Sequence, residues 1–160
     1  MKVRELMTGE TRACAAWADV GFATHLMWNG DCGALPVVDE NDELVGIVTD
    51  RDICIALSTR NERASDLPVS QVMHREVQTI HPEDDLAEAL GVMRDFHVHR
   101  LPVVDDEEAI VGMLSITDIV REAKIKSTKA PTYGDVVDTL KAIRSREVSV
   151  EEAEELEVEK

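Results

Sequence analysis

Leu35-Pro36-Val37-Val38-Asp39, followed after a short acidic turn by Val45-Gly46-Ile47-Val48-Thr49-Asp50-Arg51-Asp52-Ile53, decides the fold, because the chain carries it twice. Shifted by 66 residues without a gap, it returns as Leu101-Pro102-Val103-Val104-Asp105 and Val111-Gly112-Met113-Leu114-Ser115-Ile116-Thr117-Asp118-Ile119. In each copy two short apolar runs flank an acidic turn, Asp39 to Glu43 or Asp105 to Glu108, which is the signature of a β-hairpin. The glycines, Gly46 and Gly112, sit inside the return strands, where glycine marks a bulge or a close backbone approach. A hydroxyl residue ends each return strand, and an aspartate follows three positions later as a helix begins.

Outward from the hairpins the repeat continues. Ala18 to Asn29 places Val20, Ala23, Thr24 and Met27 on one helical face, and Asp85 to Phe96 places Leu86, Ala89, Leu90 and Met93 on the matching face. Short extended pieces, Thr11 to Ala15 and Val77 to His81, precede these helices, and brief turns at Val3 to Met7 and Val69 to Met73 precede those. The unit is therefore strand, helix, strand, strand, helix, twice over, with about fifteen of ~54 aligned positions identical. This divides the chain into a first motif over 1–60, a linker over 61–68 and a second motif over 69–125. A C-terminal extension follows over 126–160, with one helix near Asp135 to Ile143 and then an acidic tail. Ser149-x-x-Glu152 in the tail has capping-box form, but the Glu-rich sequence after it has few apolar residues to pack.

Composition excludes several function classes. The 160 residues carry a formal net charge of -16, which opposes binding to nucleic acid or to an anionic membrane surface. No run approaches the ~20 apolar residues of a membrane-spanning helix, and Met1 to Glu5 lacks the apolar core of a signal peptide. Cys14, Cys32 and Cys54 are odd in number and form no CxxC pair, which fits a reducing cytoplasm. No phosphate-loop motif, nucleophile elbow or HExxH stands in the chain, so an enzyme is not expected.

Leu-Pro-Val-Val-Asp with Gly-Ile-Val-Thr-Asp-Arg-Asp-Ile, and its second form with Gly-Met-Leu-Ser-Ile-Thr-Asp-Ile, resembles a tandem pair of cystathionine β-synthase (CBS) domains, a Bateman module, over residues 1 to about 125. The resemblance implies a mixed α/β fold, α+β in its packing. Two β-α-β-β-α motifs are then related by pseudo-twofold symmetry, in a chain that pairs into a homodimer. It also implies clefts between the motifs that bind an adenosyl ligand, an adenine nucleotide or S-adenosylmethionine, as a regulatory signal, with no cofactor required. Carried over position by position, one cleft is expected to use Thr49, Arg51 and Asp52 with Thr79, Ile80 and Val98. The other is expected to use Ser115, Thr117 and Asp118 with Ala13 and Cys32. His99 and Arg100 stand where phosphate contacts are often made, whereas the first motif has Gly33 and Ala34 there, so the clefts are chemically unequal.

Two readings of Thr49-x-x-Asp52 and Ser115-x-x-Asp118 stand side by side. Each can be a capping box and nothing more. Each can also offer a helix N-terminus to a phosphate and a carboxylate to the two ribose hydroxyls. His97 and His99, two apart and on a strand facing one way, admit a zinc site, with His74 and His81 nearby in sequence; exposed polar positions explain them as well. Cys14 and Cys32 read as small core residues. Trp17 and Trp28 have Glu83 and Arg94 as their counterparts, and they suit either a dimer or partner surface or partial burial. The expected function is a regulatory sensor acting on an unidentified protein partner. A ligand-free dimerisation scaffold is the alternative, and zinc binding the third.

Overall fold

A computed structural model of the chain describes residues 1–9, 11–125 and 130–145. The acidic tail and its Ser149 capping box lie outside these residues. The elements are β1 (Thr8–Gly9), β2 (Cys14–Ala15), α1 (Val20–Gly30), β3 (Ala34–Val38), β4 (Leu44–Thr49) and α2 (Asp50–Arg60). There follow α3 (Leu86–Asp95), β5 (Arg100–Val104), β6 (Ile110–Ser115), α4 (Ile116–Glu122) and α5 (Tyr133–Arg144), with 3-10 turns at Val3–Glu5 and Val69–Gln71. No helix among the described residues is long and apolar enough to cross a membrane.

Both hairpins form as expected and in the same register. Ala34 pairs with Thr49 and Arg100 with Ser115, at the end opposite the acidic turns. Asp39 and Asp105 hold those turns by accepting backbone N–H bonds, from Asn41 and Glu43 and from Glu107 and Ala109. The ladder skips one residue in each return strand, so that Val37 faces Gly46 and Val103 faces Gly112. This is the bulge that the glycines announced.

Two three-stranded sheets result, β2-β3-β4 and β1-β6-β5. Their third strands are not equivalent. In the first motif the lead strand β2 runs parallel to β3, whereas in the second that place holds only the bridge of Ile80 to Val103. The second sheet is completed instead by β1, antiparallel to β6, and the matching contact in the first motif is the bridge of His74 to Ile47. The lead-in segments are thus exchanged. Val3 is buried in the second motif's core with Leu86, Met93 and Leu114, and Val69 is buried in the first motif's core with Val20, Val37 and Val48.

The acids ahead of α3 fasten this exchange. Glu83 pairs with Arg4, and Asp85 lies 3.2 Å from Lys2 Nζ. The segment read as a linker is fastened too. Leu67 is fully buried, and its carbonyl accepts from Val20 N–H at the start of α1. One helical position departs from expectation. Thr24 is exposed, because its hydroxyl bonds back to the Val20 carbonyl at 2.7 Å and needs no place in the core.

The exchange explains the strand glycines. A Cβ on Gly112 would stand 2.8 Å from the Thr8 carbonyl oxygen and 2.9 Å from Met7 Sδ. A Cβ on Gly46 would stand 2.9 Å from the His74 carbonyl oxygen. Gly112→Ala is expected to lower stability to urea by about 1–3 kcal/mol, the usual cost of an overpacked site. Gly91→Ala, on the α3 helix with nothing nearer than 3.9 Å, should leave stability unchanged or raise it by up to about 1 kcal/mol. Equal behaviour of the two variants would contradict the close approach of β1.

α5 begins with a capping box of Thr132 and Asp135, whose hydrogen bonds from the Thr132 backbone and hydroxyl hold the Asp135 carboxyl below its usual range. Val136, Thr139 and Ile143 are buried, and the helix lies against α3 and α4.

Candidate functional site

The two return strands end beside each other's lead-in segments, and this leaves a cleft on each side of the pseudo-twofold. The local chemistry that shapes the clefts is helix termination. α1 and α3 each end in a residue with positive φ, Asp31 (47°) and His97 (56°). The next N–H turns back onto the helix, Cys32 to the Met27 carbonyl and Val98 to the Met93 carbonyl. This is the Schellman arrangement. It leads Asp31–Gly33 and His97–His99 along the cleft walls before β3 and β5 begin. His97 and His99 are therefore not on a strand, as the alternation reading had them; both line the first cleft all the same.

The first cleft, about 960 Å³, is lined by Thr49, Arg51, Asp52, Val98, His99 and Arg100 among the expected residues. Thr79 and Ile80 are not in it. Ile80 is buried, and its backbone is paired with β5, so the cleft is walled by the preceding residues Val77 and Gln78. The second cleft, about 810 Å³, is lined by Cys32, Ser115, Thr117 and Asp118, again with His99 and Arg100. Ala13 is not in it, for the same reason: Cys14 turns into the core, and Thr11 and Arg12 face the cleft instead. Cys32 is exposed rather than a core residue. Cys14 is buried, and burial with the nearby Asp19 pushes its thiol pKa up, away from reactivity.

Both capping boxes form. Asp52 Oδ2 accepts from Thr49 N–H at 3.1 Å and its hydroxyl at 2.6 Å, and Asp118 Oδ2 accepts from Ser115 N–H at 2.9 Å and its hydroxyl at 2.5 Å. The same box at Thr132 and Asp135 caps α5 and borders neither of these clefts, so the motif by itself does not mark them. What distinguishes the other two is the cleft in front of them and the state of the second carboxylate oxygen. Asp118 Oδ1 has no partner among the described residues, whereas Asp52 Oδ1 lies 3.1 Å from His74 Nε2. The position equivalent to His74 is Thr8, whose short side chain leaves Asp118 open.

The clefts are also the basic places of an acidic chain. Six of the ten arginines among the described residues line them. Arg51, Arg75, Arg100 and Arg144 face Asp52 and Glu76 in the first; Arg12, Arg100 and Arg121 face Asp31 and Asp118 in the second. Among the described residues none of these six is paired with a carboxylate. His99, between the clefts, has its pKa lowered by burial and then by Arg100 and Arg144. Sequence reasoning reached Arg51 and Arg100 but missed Arg12, Arg75, Arg121 and Arg144 as cleft residues, and it named His74 only beside a candidate zinc site, not against Asp52. Arg121 alone left a local signal, one helical turn beyond Asp118. No group of three metal-ligating side chains occurs among the described residues, and His81 lies instead near Asp106, at 3.2 Å.

Comparison with known proteins agrees with this architecture. The profile named CBS domain matches residues 3–59 and 69–124. Uncharacterized protein MJ1404 of Methanocaldococcus jannaschii is 38% identical over 102 residues, 64% of this chain and 24% of that protein. The chain thus spans about a quarter of that relative's length. The crystal structure of the conserved CBS domain protein TA0289 from Thermoplasma acidophilum, of unknown function, superposes with a TM-score of 0.77 at 23% identity, over 91% of this chain and 78% of that one. The CBS domain pair of protein MJ0100, solved in complex with 5'-methylthioadenosine and S-adenosyl-L-methionine, superposes with a TM-score of 0.69 at 26% identity, over 76% of this chain and 94% of that one. With the repeat, the exchanged lead-in segments and the two clefts in place, the chain belongs to the CBS domain family as a tandem pair of its domains.

Proposed function

We propose that this protein is a regulatory sensor, not a catalyst, that binds an adenosyl ligand between its two CBS motifs. The observation that carries this reading is the open Asp118 carboxylate at the start of α4, facing a cleft whose arginines have no carboxylate partner among the described residues. A carboxylate oxygen accepts the two hydroxyls of a ribose, and guanidinium groups with helix N–H groups receive a phosphate. The MJ0100 complex with two adenosyl ligands supports the ligand class. Thr49, Arg51, Asp52 and Val98 would serve the first cleft and Ser115, Thr117, Asp118 and Cys32 the second, with His99 and Arg100 between them. Ligand would tie the motifs together and shift the population of their relative orientations, by its differential affinity for each. A protein partner would read that shift.

A homodimer is part of the reading. Trp17 before α1 and Trp28 on it are 62% and 84% exposed, and Phe22 on α1 is half exposed, large apolar side chains suited to contact with another subunit. If no ligand binds, these exposed aromatics favour the scaffold alternative.

Thermal unfolding with AMP, ADP, ATP, S-adenosylmethionine and 5'-methylthioadenosine, plus zinc as a separate arm, tests the proposal. A true ligand at a hundredfold excess over its Kd stabilises by about 2.7 kcal/mol. The shift should depend on pH differently for phosphorylated and for unphosphorylated ligands. In the free protein the folded pKa of His99 is depressed, so its contribution to stability is full above about 6.5 and is lost as pH falls through the folded value. A bound phosphate offsets Arg100 and Arg144 and raises that pKa. Between pH 7 and about 6.5 phosphate-ligand stabilisation should therefore hold up relative to that by 5'-methylthioadenosine, which only deepens the burial that is the largest cause of the depressed His99 pKa. A saturable shift with none of the adenosyl ligands would refute the sensor reading, and a shift with zinc alone would replace it.

A further inference from the structure

Beyond both repeats, α5 reaches back into the first cleft. The family match ends at residue 124, and α5 starts at Tyr133. Its buried Val136, Thr139 and Ile143 and its packing on α3 and α4 fix the direction of its last turn. There Ile143 and Arg144 form part of the cleft wall, beside His99 and Arg100. Arg144 is exposed and has no carboxylate partner among the described residues, and it is near enough to His99 to help depress that imidazole's pKa.

Four arginines line this cleft from four separate segments: Arg51 at the start of α2, Arg75 after the second 3-10 turn, Arg100 on β5 and Arg144 on α5, with the Arg75 guanidinium also donating to the Ser70 carbonyl at 3.3 Å. They repel one another. Among the described residues, these arginines share the cleft with the carboxylates of Asp52 and Glu76. Their common complement is an anion with several oxygens, because planar guanidinium forks match phosphate geometry. An uncharged adenosyl ligand leaves that cluster unsatisfied.

We propose that Arg144, supplied from outside the family's own repeats, is a ligand-selecting residue that makes the first cleft prefer phosphorylated over uncharged adenosyl ligands and ties α5 to that ligand. This rests on the reading of the clefts as adenosyl sites. It also gives the extension a role: a ligand that grips Arg144 draws the end of α5 toward the motif junction, whereas 5'-methylthioadenosine has no group to hold it.

The test is calorimetric titration of the full chain with AMP and with 5'-methylthioadenosine, in an Asp118→Ala background that isolates the first cleft. Arg144→Gln should weaken AMP binding at least about tenfold, the effect of one lost charge-assisted hydrogen bond, and change 5'-methylthioadenosine binding less than about twofold. Arg144→Lys should recover part of the AMP affinity, since it keeps the charge without the fork. Glutamine is a good helix former, so the exposed last turn should survive the change. Unchanged AMP affinity, equal loss for both probes, or no AMP binding in the Asp118→Ala background overturns the proposal. Failure of the unmodified chain to bind either probe overturns the reading of the clefts as well.

Discussion

Replacing Asp118 with alanine is expected to weaken adenosyl-ligand binding at the second cleft by at least about 2 kcal/mol, thirtyfold or more in Kd, because two hydroxyl hydrogen bonds to a carboxylate are lost. The change also removes half of a capping box, and caps are worth about 0.5–2 kcal/mol of folding stability. The two losses are separable. Unfolding without ligand reports the cap, and titration of the folded protein reports the site. Asp52→Ala should lose less affinity, because a ribose at the first cleft must first displace His74 from Asp52 Oδ1. His74 is 66% exposed, so that displacement is open to it. Unchanged affinity at the second cleft in Asp118→Ala would remove Asp118 from the site.

Leu67→Ala should be among the most damaging single changes to stability, although Leu67 sits in what the sequence presents as a connection between motifs. Its side chain is fully buried in the first core with Val20, Val37, Val48 and Val69. Leucine-to-alanine changes at such sites cost about 2.7–5 kcal/mol, from lost transfer free energy and the cavity left behind. Its backbone carbonyl would still receive the Val20 N–H, so the loss would be one of packing rather than of the helix start. Urea unfolding measures it directly. A loss below about 1 kcal/mol would mean that the segment is a tether and that the core closes without it.

These two residues show where reading the chain succeeds and where it stops. The Asp118 capping box was legible because a hydroxyl, two intervening residues and an acid at the start of a helix are a local pattern, and the pattern came twice. Leu67 was not, because a single leucine among Arg63, Ala64, Ser65 and Asp66 has no period to betray its burial. Thr79, Ile80 and Ala13 were assigned by analogy to cleft positions. The cleft wall lies two residues earlier in each lead segment, since Ile80 and Cys14 are drawn into the cores.

By itself the sequence determined the two hairpins, their bulged glycines, the capped helices and the doubled unit. Each of these follows from neighbours a few residues apart, whose turn chemistry and apolar period act alike in any surroundings. Only the tertiary structure decided the exchange of lead-in segments between motifs, the contact of His74 with Asp52, and the gathering of Arg12, Arg51, Arg75, Arg100, Arg121 and Arg144 into two clefts. Those juxtapositions join positions far apart in the chain, and they arise from how two aliphatic cores close around each other's strands, which no local pattern encodes.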